Sequence, residues 1–190
     1  EIFSAGFYNT RVREFFEFYK NDLISSLGEI NDGLKTLKKL EDMGVLKMII
    51  TRDIFSLAHR AGCKNVIELH GSVYHNECPH CRRKYPLEYI RDSKGVPRCE
   101  NCGTTIRPQI VLAGEMVNNA LSTKAADEVS KADTLLLLGC DMSSVLAESF
   151  LRYFTGKRVI LIHNREHYAD SKADLVIHGK SMDILAQLAL

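Results

Sequence analysis

Four cysteines stand in two tight pairs, and their spacing carries the clearest chemical signal in the sequence. Cys78 pairs with Cys81 and Cys99 with Cys102, with two residues inside each pair and seventeen between the pairs. A two-residue gap lets both thiolates of a pair face one ion, so the spacing predicts a tetrahedral zinc site. Four thiolates close the coordination sphere, which makes the predicted zinc structural and not catalytic. The alternative is two reduced or redox-active pairs.

Apolar and amphipathic segments alternate along the chain and predict the elements that position these cysteines. Helices of ten or more residues between strands are typical of βαβ units, so we predict an α/β protein with a parallel sheet. The predicted strands cover residues 45–50, 66–69, 110–112, 135–138, 159–162 and 175–177. The predicted helices cover residues 11–27, 120–132 and 145–154, a segment from Asn31 or Asp32 to Gly44, and a final segment that begins at Ser181.

Polar residues follow several of these strands. In parallel sheets, ligands bind outside the carboxyl ends of the strands, so we expect a ligand site at this edge. The residues there are Thr51, Arg52, Asp53, His70, Gly71, Gly139, Cys140, Asp141, His163 and Asn164.

The composition limits the classes of partner. The 190 residues include 25 Lys and Arg against 24 Asp and Glu, which gives a formal net charge of +1. A balanced charge offers no electrostatic basis for nonspecific binding to nucleic acid or to a membrane surface. No apolar stretch approaches the roughly 18–20 residues that span a bilayer. We expect a cytoplasmic protein with no nucleic-acid or membrane partner. Because the chain starts at Glu1, we also expect it to be processed or partial.

Further motifs occur in a fixed order around the cysteine pairs. The sequence reads FFEFY at residues 15–19, ELHGS at 68–72, IRPQIVL at 106–112, GEM at 114–116 and ADLVI at 173–177. Together they resemble the sirtuin family of NAD-dependent protein deacylases over nearly the whole chain. The resemblance implies a Rossmann-like parallel sheet with an inserted small zinc-ribbon domain. It places residues 1–28 and 74–107 in the small helical and zinc-ribbon subdomain, and residues 29–73 and 108–190 in the Rossmann-like domain.

The resemblance also implies a function and its residues. Members remove acyl groups from protein lysines and release nicotinamide and O-acyl-ADP-ribose, so the implied partner is an acylated-lysine protein or peptide. His70 is the implied general base, since an imidazole titrates near neutral pH. The residues implied to hold the peptide by strand addition are Val111, Leu112, Gly114 and Glu115. Those implied to contact NAD are Thr51, Arg52, Asp53, Gly139, Cys140, Asp141, His163, Asn164 and Lys180.

Several positions depart from the family pattern. The glycine-rich GAGIS turn does not occur among the 190 residues, and we expect the family segment that carries it to precede Glu1. The family motif TQNID reads TRDIF at residues 51–55, and GTS reads Gly139, Cys140 and Asp141. A carboxylate at Asp141 can only accept hydrogen bonds and repels a phosphate, so we expect weak NAD binding by the isolated chain. The alternative function is a non-catalytic sirtuin-like module that binds a partner or a nucleotide.

Overall fold

The structure is a computed structural model that describes residues 1–188. Clustering of contacts divides it into two compact units. The first unit contains residues 1–29, 51–57 and 68–118, and the second contains residues 30–50, 58–67 and those from 119 onward. The division into domains that the resemblance implies stays a prediction. No helix within residues 1–188 is long and apolar enough to cross a lipid bilayer.

Helices and strands alternate from residue 107 onward as expected for an α/β chain, whereas three α-helices open the chain and three strands follow one another between residues 66 and 85. Within the described residues the α-helices are α1 Ala5–Thr10, α2 Val12–Phe18, α3 Asp32–Asp42, α4 Leu57–Arg60, α5 Leu87–Asp92, α6 Asn119–Lys131, α7 Val145–Leu151 and α8 Ser181–Ala186. The strands are β1 Ile49–Thr51, β2 Val66–Glu68, β3 Gly71–Glu77, β4 Lys84–Tyr85, β5 Arg107–Ile110, β6 Thr134–Leu138, β7 Arg158–His163 and β8 Leu175–His178. A π-helical turn at Tyr19–Leu23 continues α2, and a 3₁₀ turn at Tyr168–Lys172 lies between β7 and β8.

The first unit is built on a three-stranded sheet in the order β4-β3-β5, in which β3 runs antiparallel to both neighbours. Aromatic side chains of α2 and the turn after it form part of its core, because Phe15, Phe16 and Tyr19 are fully buried and contact one another edge-on or stacked. The predicted helix over 11–27 is therefore shorter, since its regular part ends at Phe18 and the wider π turn ends at Leu23.

The second unit contains the parallel sheet that the sequence predicts, in the order β6-β7-β8. Adjacent strands are in continuous register, from the pair Thr134 and Arg158 to the pair His163 and His178. Leu161 at the centre of β7 is fully buried, as expected for a strand with neighbours on both sides. The carboxyl ends of β7 and β8 consequently finish at the same level.

The predicted strand over residues 45–50 is wrong at its start. Gly44 adopts a positive φ of 71°, and the amides of Val45 and Leu46 both donate to the carbonyl of Leu40 at 3.0 Å. These bonds satisfy a carbonyl at the end of α3, so the apolar pair terminates the helix and β1 begins only at Ile49. The predicted strand at residues 110–112 likewise ends early, at Ile110.

A close backbone approach between two helices of the second unit predicts a measurable packing constraint. A Cβ at Gly33 in α3 would lie 2.4 Å from the carbonyl oxygen of Met182 in α8, whereas a Cβ at Gly6 in α1 would meet nothing within 4 Å. We expect Gly33→Ala to lower the free energy of unfolding by about 1–3 kcal/mol through overpacking. Gly6→Ala, the matched control in a helix, should leave it unchanged or raise it by up to about 1 kcal/mol. Denaturant unfolding of both variants tests this, and equal stabilities would contradict the packing.

Candidate functional site

Two similar backbone turns present the four cysteines. In the first, the amide of Arg82 donates to the carbonyl of Cys78, and in the second, Gly103 donates to Cys99 in the same way, at 3.0 and 2.8 Å. Arg82 and Gly103 each have a positive φ, 62° and 71°, which folds the chain back after each pair. The CxxC spacing thus becomes two matching loops of the first unit, each turned towards the other.

The cysteine sulfurs converge on one point. Cys78 Sγ lies 3.4 Å from Cys102 Sγ, and Cys81 Sγ lies 3.4 Å from Cys99 Sγ. All four sulfurs lie within 4.8 Å of one another, and none of them is in a disulfide. Zn–S bonds of 2.3 Å in a tetrahedron give sulfur–sulfur distances of about 3.8 Å. The cluster therefore fits a structural zinc, and its two 3.4 Å contacts join cysteines of different pairs.

The surroundings of the four sulfurs shift the pKa values of their thiols in different directions. The Tyr85 hydroxyl donates to Cys99 Sγ at 3.1 Å and accepts from the Glu100 amide, and this hydrogen bond lowers the pKa of Cys99 to about 6. A hydrogen bond with Thr104 lowers the pKa of Cys102 as well. Burial raises the pKa of Cys78 to about 11, so this thiol needs a cation to become a thiolate at neutral pH.

His70 follows β2 and directly precedes β3. Its carbonyl accepts a hydrogen bond from the Val111 amide at 2.9 Å, which fixes the backbone. Gly71 has a positive φ of 72°, and a Cβ there would lie 1.9 Å from the carbonyl oxygen of Gln109. Only glycine fits this contact, which explains the glycine of the ELHGS motif.

The imidazole of His70 is half-buried, and the described residues contain no hydrogen-bond partner for it. Burial and the nearby Arg52 guanidinium lower its pKa below the ordinary 6.5. A lowered pKa keeps the ring neutral at physiological pH, and a neutral ring is the form that accepts a proton. The role of His70 as a base stays a prediction, and the neutral ring is compatible with it.

The carboxylate of Asp53 is used within its own turn. Its two oxygens accept from the amides of Phe55 at 2.9 Å and Leu57 at 2.7 Å, and its amide donates to Thr51 Oγ1. Asp53 therefore shapes the loop after β1 and precedes α4. Arg52, between Thr51 and Asp53, is exposed. The structure brings Thr51, Arg52, Asp53 and His70 into one unit.

The loop predicted to hold a peptide is braced from inside. Glu115 accepts two hydrogen bonds from Arg107 at 2.6 and 2.7 Å, and one from the Leu112 amide at 2.7 Å. The Arg107 guanidinium also lies over the Tyr8 ring, 4.6 Å from its centroid. Sequence reasoning missed Arg107, although it lies inside the IRPQIVL motif. The amides of Val111, Leu112 and Glu115 bond within the chain, so strand addition at this loop would use its remaining main-chain groups and stays a prediction.

The other predicted cofactor residues lie in the second unit, at the carboxyl edge of its parallel sheet. Gly139 directly follows β6 with a φ of 69°, and its amide donates to the carbonyl of Ile162. The carboxylate of Asp141 accepts from the amide and the hydroxyl of Ser143 at 2.9 and 2.6 Å, and these hydrogen bonds lower its pKa. Cys140 is half-buried, whereas Asn164 and Lys180 are exposed.

His163 differs from its neighbours because its side chain is buried and engaged. Its Nε2 lies 3.1 Å from Oδ1 of Asp170, and only 6% of the side chain is exposed. This position offers no free amide or imidazole to a ribose in the structure. Asp170 and its second histidine partner, His178, were missed by sequence reasoning, since no local spacing connects them.

Comparison with known proteins identifies the family. A model of the Sir2 family matches residues 2–145. The chain belongs to the Sir2 family. An NAD-dependent protein deacetylase of Clostridium perfringens is 41% identical to this sirtuin over 189 residues, which cover 99% of this chain and 78% of the relative. One from Cutibacterium acnes is 38% identical over 180 residues, covering 93% of this chain and 73% of the relative.

Solved sirtuin structures match the fold. A structure described as Sir2 with a p53 peptide and NAD+ has a TM-score of 0.86 and 30% identity, and covers 97% of this chain and 80% of that chain. A structure of Sir2 bound to acetylated peptide gives the same TM-score, identity and coverage. The predicted family and the predicted α/β fold class are confirmed. The cysteine cluster agrees with the zinc-ribbon and with a structural zinc.

The cysteine geometry of this sirtuin predicts one bound zinc per chain and a loss of stability when a zinc ligand is removed. Cys78→Ser should reduce bound zinc well below one equivalent and lower the melting temperature, because metal-binding energy couples to folding. A chelator should lower the melting temperature of the unaltered protein and have little further effect on the variant. Metal analysis with calorimetry provides the measurement. Cys63→Ser, a buried cysteine outside the cluster, should keep its zinc, and a full zinc equivalent in Cys78→Ser would contradict the assignment.

Proposed function

We propose that this sirtuin is an NAD-dependent protein-lysine deacetylase or deacylase. The observation that carries the proposal is the state of His70: fixed by its carbonyl bond and by Gly71, half-buried, and with a lowered pKa. The relatives at 41% and 38% identity are NAD-dependent protein deacetylases. Solved neighbours at 30% identity contain NAD+ or an acetylated peptide. A cytoplasmic location agrees with this function and stays a prediction.

His70 performs the proton transfer in the proposed reaction. A neutral imidazole takes the proton of a ribose hydroxyl and becomes positively charged. Because the His70 ring is only half-buried, solvent can stabilise this charge. The lowered pKa keeps most of the rings neutral at pH 7. The position of the ring depends on the β3–β5 contact at Gly71, so the base is held by backbone and not by a flexible side-chain partner.

The substrate is an acylated lysine in an extended peptide. The 111–115 loop is suited to hold it because Arg107, Glu115 and the Leu112 amide fix the loop in one conformation. A preformed edge binds an extended chain at a smaller entropic cost than a mobile one. Glu115 therefore acts as a positioning residue for the loop.

NAD supplies the ADP-ribosyl acceptor for the acyl group, and each unit contains residues that the family resemblance implies for NAD contact. In the second unit, Gly139 has no side chain to block a ligand directly after β6, and Lys180 is an exposed cation after β8. The first unit offers Thr51, whose carbonyl accepts from the Leu69 amide next to His70, and Arg52, whose charge contributes to the lowered pKa of His70. The cations of Lys180 and Arg52 fit an anionic dinucleotide, whereas the carboxylates of Asp53 and Asp141 in the predicted set oppose it.

Asp141 also supports the alternative function, a non-catalytic sirtuin-like module. Its hydrogen bonds with Ser143 keep it ionised, at the position where the family motif has a hydroxyl. A module that binds a partner or a nucleotide without turnover would tolerate this charge. Assays with several acyl-lysine peptides separate the two functions, since the module releases no nicotinamide in a peptide-dependent way.

Removal of the candidate base tests the proposed enzyme. We expect His70→Ala to reduce acyl-lysine-dependent nicotinamide release by about 10²–10⁴-fold, the usual contribution of a general base. In the unaltered protein, kcat/KM should fall on the acid side with a midpoint below pH 6.5, since the pKa of His70 is lowered and the neutral ring is required.

The control is His75→Ala, which removes an exposed histidine from the same strand segment. His75→Ala should retain activity, zinc content and melting temperature. His70→Ala should lose activity but retain its zinc content and melting temperature. A fully active His70→Ala protein would exclude this mechanism, and an inactive unaltered protein would favour the binding module.

The charge of Asp141 predicts a gain in cofactor affinity on its removal. Asp141→Ser should tighten NAD binding about 5-fold, since repulsion of two unit charges at 4 Å is worth about 1 kcal/mol in water. The gain should be larger at low salt, where screening is weak. Titration calorimetry measures both. Asp133→Ser makes the same change of charge before β6, at the opposite end of the strand, and should have little effect; equal gains in both variants would show a general charge effect.

A further inference from the structure

Two histidines and one aspartate of the second unit meet beyond the ends of β7 and β8. Asp170 Oδ1 lies 3.1 Å from His163 Nε2, and Asp170 Oδ2 lies 3.0 Å from His178 Nε2. One ligand atom of each residue lies within 4.8 Å of the corresponding atoms of the other two. The centroids of the two imidazole rings are 5.4 Å apart and their planes are inclined by 62°, so the rings meet edge-on and do not stack.

The sheet and the turn between its strands set this arrangement. His163 and His178 are register partners at the ends of two parallel strands, and the Gly179 amide donates to the His163 carbonyl at 2.9 Å. The carboxylate of Asp170 is oriented by the His167 amide, which donates to Oδ2 at 2.9 Å in the cap of the 3₁₀ turn. All three side chains are therefore positioned before any ligand arrives.

We propose that His163, Asp170 and His178 form a second metal site, which binds one divalent first-row transition ion through two nitrogens and one oxygen. Bonds of 2.0–2.1 Å in a tetrahedron place ligand atoms about 3.3 Å apart. Each histidine nitrogen lies near that distance from its own carboxylate oxygen, 3.1 Å from Oδ1 for His163 and 3.0 Å from Oδ2 for His178, and a set with one shared oxygen lies within 4.8 Å. The three side chains leave further coordination positions for water or another ligand.

Burial indicates how an ion would reach this site. The His163 and Asp170 side chains are 6% and 13% exposed, whereas that of His178 is 41% exposed. Two ligands thus lie in a poorly hydrated environment and the third faces solvent, which provides an entry path. A bound ion would link β7, β8 and the 3₁₀ turn, so it should stabilise the folded chain by mass action.

The donor sets separate this site from the cysteine cluster. Imidazole and carboxylate donors suit Ni²⁺, Co²⁺, Cu²⁺ and Zn²⁺, and thiolates retain zinc strongly. In a protein that already holds one zinc at the cysteines, an added ion should therefore bind at His163, Asp170 and His178 without displacing that zinc. The competing description is a hydrogen-bonded group in which both imidazoles donate to Asp170 and no metal binds.

Titration of the zinc-loaded full chain with Ni²⁺ distinguishes these descriptions. We expect one additional equivalent of Ni²⁺ by calorimetry, a higher melting temperature, and no release of zinc to a chromogenic chelator. Co²⁺ should bind at the same stoichiometry without the thiolate charge-transfer absorption of a cysteine site. In NMR spectra, the added paramagnetic ion should broaden the imidazole signals of His163 and His178 and spare those of His75.

His178→Gln is the decisive variant, because its side chain is partly exposed and the amide still donates to Asp170. It should keep its fold and its zinc and weaken Ni²⁺ binding by more than about 10-fold, the smallest effect expected even for outer-sphere partners of a metal. His75→Gln removes an exposed histidine of the first unit and should bind Ni²⁺ normally. Unchanged Ni²⁺ binding in His178→Gln, loss of zinc during the titration, or no binding at all would overturn the proposal.

Discussion

One antiparallel strand pair supports both chemical features of the first unit. Strand β3 begins beside His70 and ends beside Cys78, and it pairs with β5 from Gly71 opposite Ile110 to Glu77 opposite Arg107. The contact of Gly71 with the Gln109 carbonyl allows no side chain, so the pairing fixes the candidate base at one end. At the other end the same strand leads into the first cysteine turn. Zinc binding and the position of His70 consequently share one backbone framework.

Two residues that depart from the family motifs, Asp53 and Asp141, form hydrogen bonds with their own loops. Asp53 uses both oxygens on amides of its own loop, and Asp141 uses one oxygen on the amide and hydroxyl of Ser143. Each carboxylate thereby gains donors that stabilise its charge. These bonds show how the fold accommodates two acidic substitutions. The Asp141 carboxylate still carries its negative charge, and this charge is what we expect to weaken the binding of an anionic cofactor.

The two clusters of metal-binding residue types differ in how the chain builds them. Each cysteine turn is complete within a few residues, and the two turns need only the β3–β5 sheet to face each other. The group of His163, Asp170 and His178 instead requires two parallel strands in register and a capped turn between them. Its histidines are fifteen positions apart in the sequence, and only the register of the two parallel strands brings them side by side.

The sequence by itself determined the features that depend on local spacing or on a long ordered motif set: the four-cysteine cluster, the parallel α/β class and the family. It also predicted His70 within ELHGS as the base, and that role stays a prediction. It misplaced the start of β1, because Val45 and Leu46 favour a strand by residue type but terminate α3 through the Leu40 carbonyl. Only the tertiary structure decided that Arg107 braces Glu115, that Asp53 and Asp141 bond inward, and that His163 meets Asp170 and His178. The physical reason is that a side-chain contact between distant residues depends on strand register and turn geometry, and neither is encoded in the spacing of the residues that meet.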